Sequence, residues 1–182
     1  LAQIENWTNM EDFCVLMTRE VRRRMIAESI PRIKQCLAEL TVEEVWYRPN
    51  ENSNSVGNLV LHLCGNVRQW LLGGLGGYTD NRRRQQEFDE RGPIPTSVLV
   101  RHLDELAEEV EKVLARLTTE RLMQNVDVQG FKENGVGVLV HVVEHFSYHT
   151  GQITYYVKWR KNINTNYYGG INLDAVGRVG FD

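Results

Sequence analysis

The sequence predicts an all-α protein, a four-helix bundle, on three observations. Apolar residues recur at three- and four-residue steps in four separate segments, with charged residues between them. Each segment ends at residues that cap or break helices. Alternation of the kind a strand needs is confined to the short stretch Val126-Asp127-Val128. Four amphipathic faces bury one another most simply as a bundle.

The first helix is expected from about Met10 to Leu40, with Val15, Leu16, Ile26, Ile30, Ile33 and Leu37 on its buried face. Pro31 should kink or break it, because proline lacks the N–H and its ring clashes with the preceding turn. Residues 43–49 form a short structured connection, and Asn50 to Ser55 is a strong turn and capping signal. The second helix starts at Ser55 and carries Val56, Leu59, Val60, Leu63, Val67, Trp70 and Leu71 to Gly73-Gly74, where glycine supplies the freedom a helix end needs.

The third helix begins near Thr96 and ends near Leu117, with Val98, Leu99, Leu103, Leu106, Val110, Val113, Leu114 and Leu117 inward. The stretch from Asn125 to Phe131 reads as an extended loop or small hairpin arm, and the fourth helix runs from Gly135 to Arg160. Between Gly73 and Pro95 lie more than twenty residues, whereas roughly ten extended residues span a helix of about 27 Å. The second and third helices can therefore run parallel, joined by a long crossover. Residues 1–160 are read as a single domain, and residues 161–182, rich in Asn, Tyr and Gly, as a C-terminal tail.

Composition excludes several classes. A net charge of −3 argues against a nucleic-acid binder, and Arg82-Arg83-Arg84, followed at once by Glu87, Asp89 and Glu90, reads as a solvated or ion-paired loop. There is no apolar run long enough for a membrane span. The opening residues, Leu1 to Trp7, lack the basic and apolar regions of a secretory signal. Cys14, Cys36 and Cys64 are odd in number and widely spaced, and read as reduced core thiols; a cytoplasmic location is expected.

The chemistry concentrates in His141-Val-Val-Glu144-His145-Phe-Ser-Tyr-His149, which holds three of the five histidines at four-residue steps. On a helix these imidazoles form a stripe, and neighbours can converge on one ion at about 2.0–2.1 Å. The outer pair lies roughly 12 Å apart, too far to share it. At most one neighbouring pair chelates, and a third ligand must come from elsewhere. His102 sits in a charged helix and reads as a surface residue. His62 lies on the core helix in a polar stripe with Asn58 and Asn66, either as a hydrogen-bonded core histidine or as that third ligand. His141 to His145 also matches the H-x-x-E-H pattern of inverted zinc proteases, which arises easily by chance on a helix. Glu144 is better read as solvated or as a neighbour of the ligands.

Trp46-Tyr47-Arg48-Pro49, Asn54-Ser55-Val56-Gly57, His62-Leu63-Cys64-Gly65-Asn66 and His145-x-x-x-His149-Thr-Gly-Gln-Ile together resemble the DinB superfamily, four-helix-bundle metal proteins related to thiol S-transferases and mycothiol-dependent isomerases. The stretch Asp80 to Phe88 resembles a poorly characterised branch without an assigned substrate. The resemblance implies an up-down-down-up bundle and a metal triad of His62, His145 and His149, with His141 left one turn away, either lining the pocket or hydrogen-bonding nearby, and Asn66 and Glu144 as further neighbours of the ligands or the pocket. It also implies nickel or zinc and a homodimer. Three imidazoles leave a coordination position open. The expected function is thus that of a metal-dependent hydrolase or thiol S-transferase acting on a small molecule, the latter with a low-molecular-weight thiol. The alternative is a non-catalytic metal-binding bundle in stress response or detoxification. Ligating histidines must be neutral, so metal binding should weaken as pH falls through about 6.5.

Overall fold

The computed structural model describes residues 10–176; the opening residues 1–9, on which the reading of a missing secretory signal rests, and the last six of the tail lie outside the described residues. The first long helix comprises α1 (Met10–Val21), a π-helical stretch (Arg22–Ser29) and α2 (Ile30–Ala38). It is followed by α3 (Val42–Trp46), then by α4 (Val56–Val67) with its own π-helical end (Arg68–Gly73). The crossover carries α5 (Arg84–Asp89). Next come α6 (Thr96–Leu114), α7 (Thr119–Met123), the strands β1 (Asn125–Val128) and β2 (Phe131–Asn134), and α8 (Gly135–Lys161).

Side-chain contacts fix the helix directions. Arg22 pairs with Glu111 and Lys34 with Asp104, both at 2.7 Å, so the first helix and α6 are antiparallel. Asn66 meets His141 while His62 meets His145, so α4 opposes α8. Met17 and Val21 line one groove with Leu139 and Val143, and Cys36 lies farther along beside Thr154, so the first helix parallels α8. At the other flank Trp46 packs on Gly57 and donates to the Ile94 carbonyl just before α6, while Arg68 pairs with Glu109. Hence α4 and α6 are parallel. The bundle is up-down-down-up, with the crossover between its two parallel members.

Pro31 does not break the first helix. The π-helical stretch ends directly before it, with the Ile30 N–H bonded to the Met25 carbonyl and the Ser29 hydroxyl donating to the Arg24 carbonyl. The wider turn gives room for the proline ring at the cost of one extra residue. That residue also shifts the phase of the buried stripe. The inward positions before it are Cys14, Thr18, Val21 and Met25, and Val15, expected inside, is 62% exposed.

The second helix follows its expected pattern, with every predicted apolar position from Val56 to Leu71 buried. Ser55 caps it: its hydroxyl accepts from the Asn58 N–H, and Asn58 Oδ1 accepts from the Ser55 N–H. The hairpin arm is a two-stranded antiparallel sheet, Asn125 opposite Asn134 and Val128 opposite Phe131. Gln129 (φ 52°) and Gly130 (φ 81°) make its tight turn. The tail is fastened through residue 168: Gln35 donates to the Thr165 carbonyl, the Tyr167 hydroxyl meets Thr154 at 2.8 Å, and Arg32 lies over Tyr167 and Tyr168. All three cysteines are free and buried, as small core residues would be. Among the described residues no helix is long and apolar enough to cross a membrane.

Candidate metal centre

The polar stripe of α4 organises the site. Asn58, His62 and Asn66 are all buried, one helical turn apart, and each has a separate partner. Asn58 Nδ2 donates to the carbonyls of Glu87 and Glu90, both at 2.9 Å, and Arg48 bridges Asn58 Oδ1 to the Phe88 carbonyl. These bonds hold the crossover against the start of α4. Asn66 Nδ2 donates to His141 Nε2 at 3.1 Å. His62 points between α8 and the crossover.

There the ligand atoms of His62, His145 and His149 all lie within 4.8 Å of one another. His62 Nε2 and His145 Nε2 are 2.9 Å apart, and the rings of His145 and His149 meet edge-on. The outer nitrogens are occupied. His62 Nδ1 sits 2.9 Å from Glu87 Oε2, and His149 Nδ1 donates to Gln152 Oε1 at 2.7 Å. Arg82 Nη2 also lies 3.1 Å from His62 Nδ1. With the proton on Nδ1 of each ring, as the bonds to Glu87 and Gln152 require, the Nε2 lone pairs face inward, the tautomer for ligation through Nε2. Neutral imidazole donors without an attached carboxylate suit a borderline transition metal rather than calcium or magnesium. The residues present therefore fit a divalent ion of the zinc or nickel kind.

Glu87 is itself held. Arg82 donates to it twice, Nε to Oε1 at 2.7 Å and Nη2 to Oε2 at 2.9 Å, and turns Nη1 to Gln69. The Arg82 side chain is 4% exposed and that of Glu87 12%. Burial pushes the Glu87 carboxyl up, but the bonds from Arg82 and His62 outweigh it and leave it below the ordinary carboxylate value. Phe88 stacks obliquely on the far face of His62, ring centroids 4.7 Å apart. Gly65, one turn beyond His62, makes this approach possible: a Cβ there would fall 2.0 Å from Glu87 Oε1.

His141 stands a turn away from the three. It stacks on Trp70 with centroids 3.8 Å apart, and Trp70 Nε1 donates to Gln129 at the hairpin tip. Asn66 Oδ1 is buried without a hydrogen-bond partner among the described residues, an acceptor left free beside His141. Glu144 is exposed and lines the groove between the first helix and α8, with Met17 and Val21, so the structure does not draw it into the cluster. His102 lies on the surface of α6 beside Glu105, as expected.

The family profile described as "Protein of unknown function (DUF1572)" matches residues 16–170. The chain belongs to this family. Solved structures similar to this DUF1572 chain include a DinB-like protein from Bacillus cereus, with 17% identity over 76% of this chain and 89% of that one and a TM-score of 0.58. A conserved protein from Enterococcus faecalis matches at 17% identity over 82% and 97%, TM-score 0.61. A DinB-like protein from Bacillus subtilis matches at 21% identity over 80% and 94%, TM-score 0.54. A search of curated proteins finds no match. The likeness to the solved structures establishes a DinB-like fold for the DUF1572 chain.

The reading of Arg82 to Glu90 as a solvated or ion-paired loop holds for the Arg82–Glu87 pair but did not place it in the site, because a charged run ordinarily pairs at the surface rather than behind a buried histidine. The available signal was Gly65, a glycine on a core helix one turn from a buried histidine, which marks a close approach by another segment.

Electrostatics sharpen the pH behaviour of the DUF1572 protein. Burial and the neighbouring histidines lower the His145 pKa to about 3. Burial also lowers His149, against the opposing bond to Gln152, and lowers His141. Protons therefore compete for His145 and His149 only below 6.5, lower than their sequence alone implies. These folded values lie under the unfolded one, so on acidification the unfolded chain takes up protons first. Stability is full above pH 6.5 and declines as pH falls from there toward 3. The thermal midpoint of the metal-free protein should drop between pH 7 and pH 4.5, and His145→Gln should flatten that slope; identical slopes would contradict the assignment.

Proposed function

We propose that this protein is a metal-dependent enzyme acting on a small molecule, with its ion held by His62, His145 and His149. The observation that carries this reading is the convergence of three imidazoles from two antiparallel helices, two of them with their outer nitrogens tied off by Glu87 and Gln152. A bound zinc or nickel ion would supply Lewis-acid chemistry, lowering the pKa of a water or a thiol that shares it. The protein's own groups would do the rest. Glu87 retains the Nδ1 proton of His62 and fixes its ring, and Gln152 does the same for His149. Burial keeps His145 neutral. The free Asn66 Oδ1 can accept a bond from a hydroxyl or water beside the centre, and Trp70 covers His141 on the same side.

Two reaction classes suit such a centre, hydrolysis of a small ester or amide and transfer of a low-molecular-weight thiol to an electrophile. Both use the same three ligands. A hydrolytic panel and a panel of thiol-plus-electrophile pairs, run on zinc- and nickel-loaded protein, should yield turnover in one of them that disappears in His145→Ala. Stoichiometric metal with turnover in neither would replace the enzyme by a non-catalytic metal-binding bundle.

A further inference from the structure

A cleft of about 650 Å³ opens directly on His149, between the turn before α4 and the C-terminal half of α8. Tyr47, Tyr148, Tyr155 and Trp159 form its walls, and all four are exposed. Asn54 and Gln152 supply amides. No aspartate, glutamate, lysine or arginine lines it. Outside the lining, Arg160 and Lys161 both pair with Glu44, and Arg160 also lies over the Tyr47 ring. The volume falls within the roughly 300–1,000 Å³ of small-molecule sites, which combine apolar walls with a few polar groups that set orientation.

We propose that this cleft is the substrate-binding groove of the three-histidine centre and that it takes an uncharged molecule with a flat, aromatic body. The proposal rests on the metal-dependent reading above and names the substrate class for it. Tyrosine and tryptophan rings are rigid and amphipathic, so they bind a planar ring by stacking with little loss of side-chain freedom. A charged ring substituent would meet no opposite charge among the side chains that line the cleft. Gln152 links the two parts. Its Oε1 accepts from His149 Nδ1, while its amide nitrogen is left to donate to a ligand seated in the cleft. The reactive end of the molecule would then lie beside His149, with the ring between Tyr155 and Trp159.

The test is calorimetric titration of zinc-loaded full-length protein with three chelators that share one head group. These are acetohydroxamate, benzohydroxamate and 4-carboxybenzohydroxamate. Benzohydroxamate should bind roughly tenfold or more tightly than acetohydroxamate, the gain of burying one ring. The added carboxylate should cancel most of that gain. Trp159→Ala and Tyr155→Ala, both on the exposed side of α8, should erase the benzohydroxamate advantage and leave acetohydroxamate unchanged. Equal affinity for the two simpler chelators, or an advantage untouched in both variants, would overturn the groove while leaving the metal centre intact. Binding of none of the three would remove the centre and the groove together. Sedimentation of the same proteins adds one more outcome: a wild-type dimer that dissociates in Trp159→Ala would give the cleft to a second copy of the chain and overturn the proposal.

Discussion

Protein purified without a histidine tag is expected to carry close to one nickel or zinc ion per chain, and to lose it in His62→Ala, His145→Ala and His149→Ala but keep it in His141→Ala. Elemental mass spectrometry gives the readout. Each of the first three substitutions removes one of three nitrogens that lie within 4.8 Å of one another. Affinity should fall by on the order of 100-fold or more, beyond the roughly 10–100-fold that loss of an outer partner costs. His141 differs because its Nε2 is engaged by Asn66 and its ring is stacked on Trp70. Equal metal loss in all four variants would mean that the stripe on α8 acts as a whole, and the triad would be wrong. Wild type that neither contains nor takes up metal would leave four clustered histidines, two of them buried, and no centre.

The second large effect concerns Arg82 and Glu87. Glu87→Gln leaves the Arg82 guanidinium 4% exposed without its counter-charge, and Arg82→Ala does the converse to the carboxylate. Removing one partner of a buried pair costs about 3–5 kcal/mol. Urea unfolding of the metal-free proteins should show both losses. Metal titration separates the two variants from a purely structural defect. Glu87→Gln weakens the hold on the His62 Nδ1 proton and should lower metal affinity about 10–100-fold. Glu87→Asp, which keeps the charge, should recover part of it. Gly65→Ala reaches the same place from α4, since its methyl would take the position of Glu87 Oε1. A metal affinity in Glu87→Gln equal to that of wild type would reduce the pair to a support for the crossover.

The four helices were legible because burial leaves a periodic trace, and their directions from the length of the connection between the second and third and from the family resemblance. Leu59, Val60, Leu63 and Val67 declare a helix face however distant its partners are. The stripe Asn58–His62–Asn66 was legible for a related reason: polar residues at one helical angle, on a helix otherwise apolar, must meet something polar. The family resemblance brought His62 to His145 and His149 and set His141 and Asn66 nearby. The partners of Asn58 and of His62 Nδ1, which are Glu87 and Glu90, lie tens of residues away, and no local pattern encodes such a pairing. Arg82 and Glu87 were hidden by their chemistry, since charge usually signals solvent and becomes buried only when an opposite charge accompanies it. Val15 failed for a backbone reason. Its placement assumed a uniform 3.6-residue period, and the π-helical stretch before Pro31 breaks that period. The H-x-x-E-H pattern misleads in the opposite direction, because Glu144 satisfies the spacing from a surface position.

The crossover contributes no nitrogen to the centre, yet it supplies the carboxylate behind His62 and is itself fastened at Asn58. Affinity and local order in such an arrangement are reciprocal. If docking of residues 80–90 strengthens ion binding tenfold, ion binding must favour the docked segment tenfold as well. The order of the crossover would then report on whether the ion is bound. In the loaded protein the amides of α5 should exchange with solvent more slowly than in the stripped protein, while those deep in α6 stay the same. A connection whose length looked like a requirement of topology would, on that outcome, be half of a two-way grip on the ion.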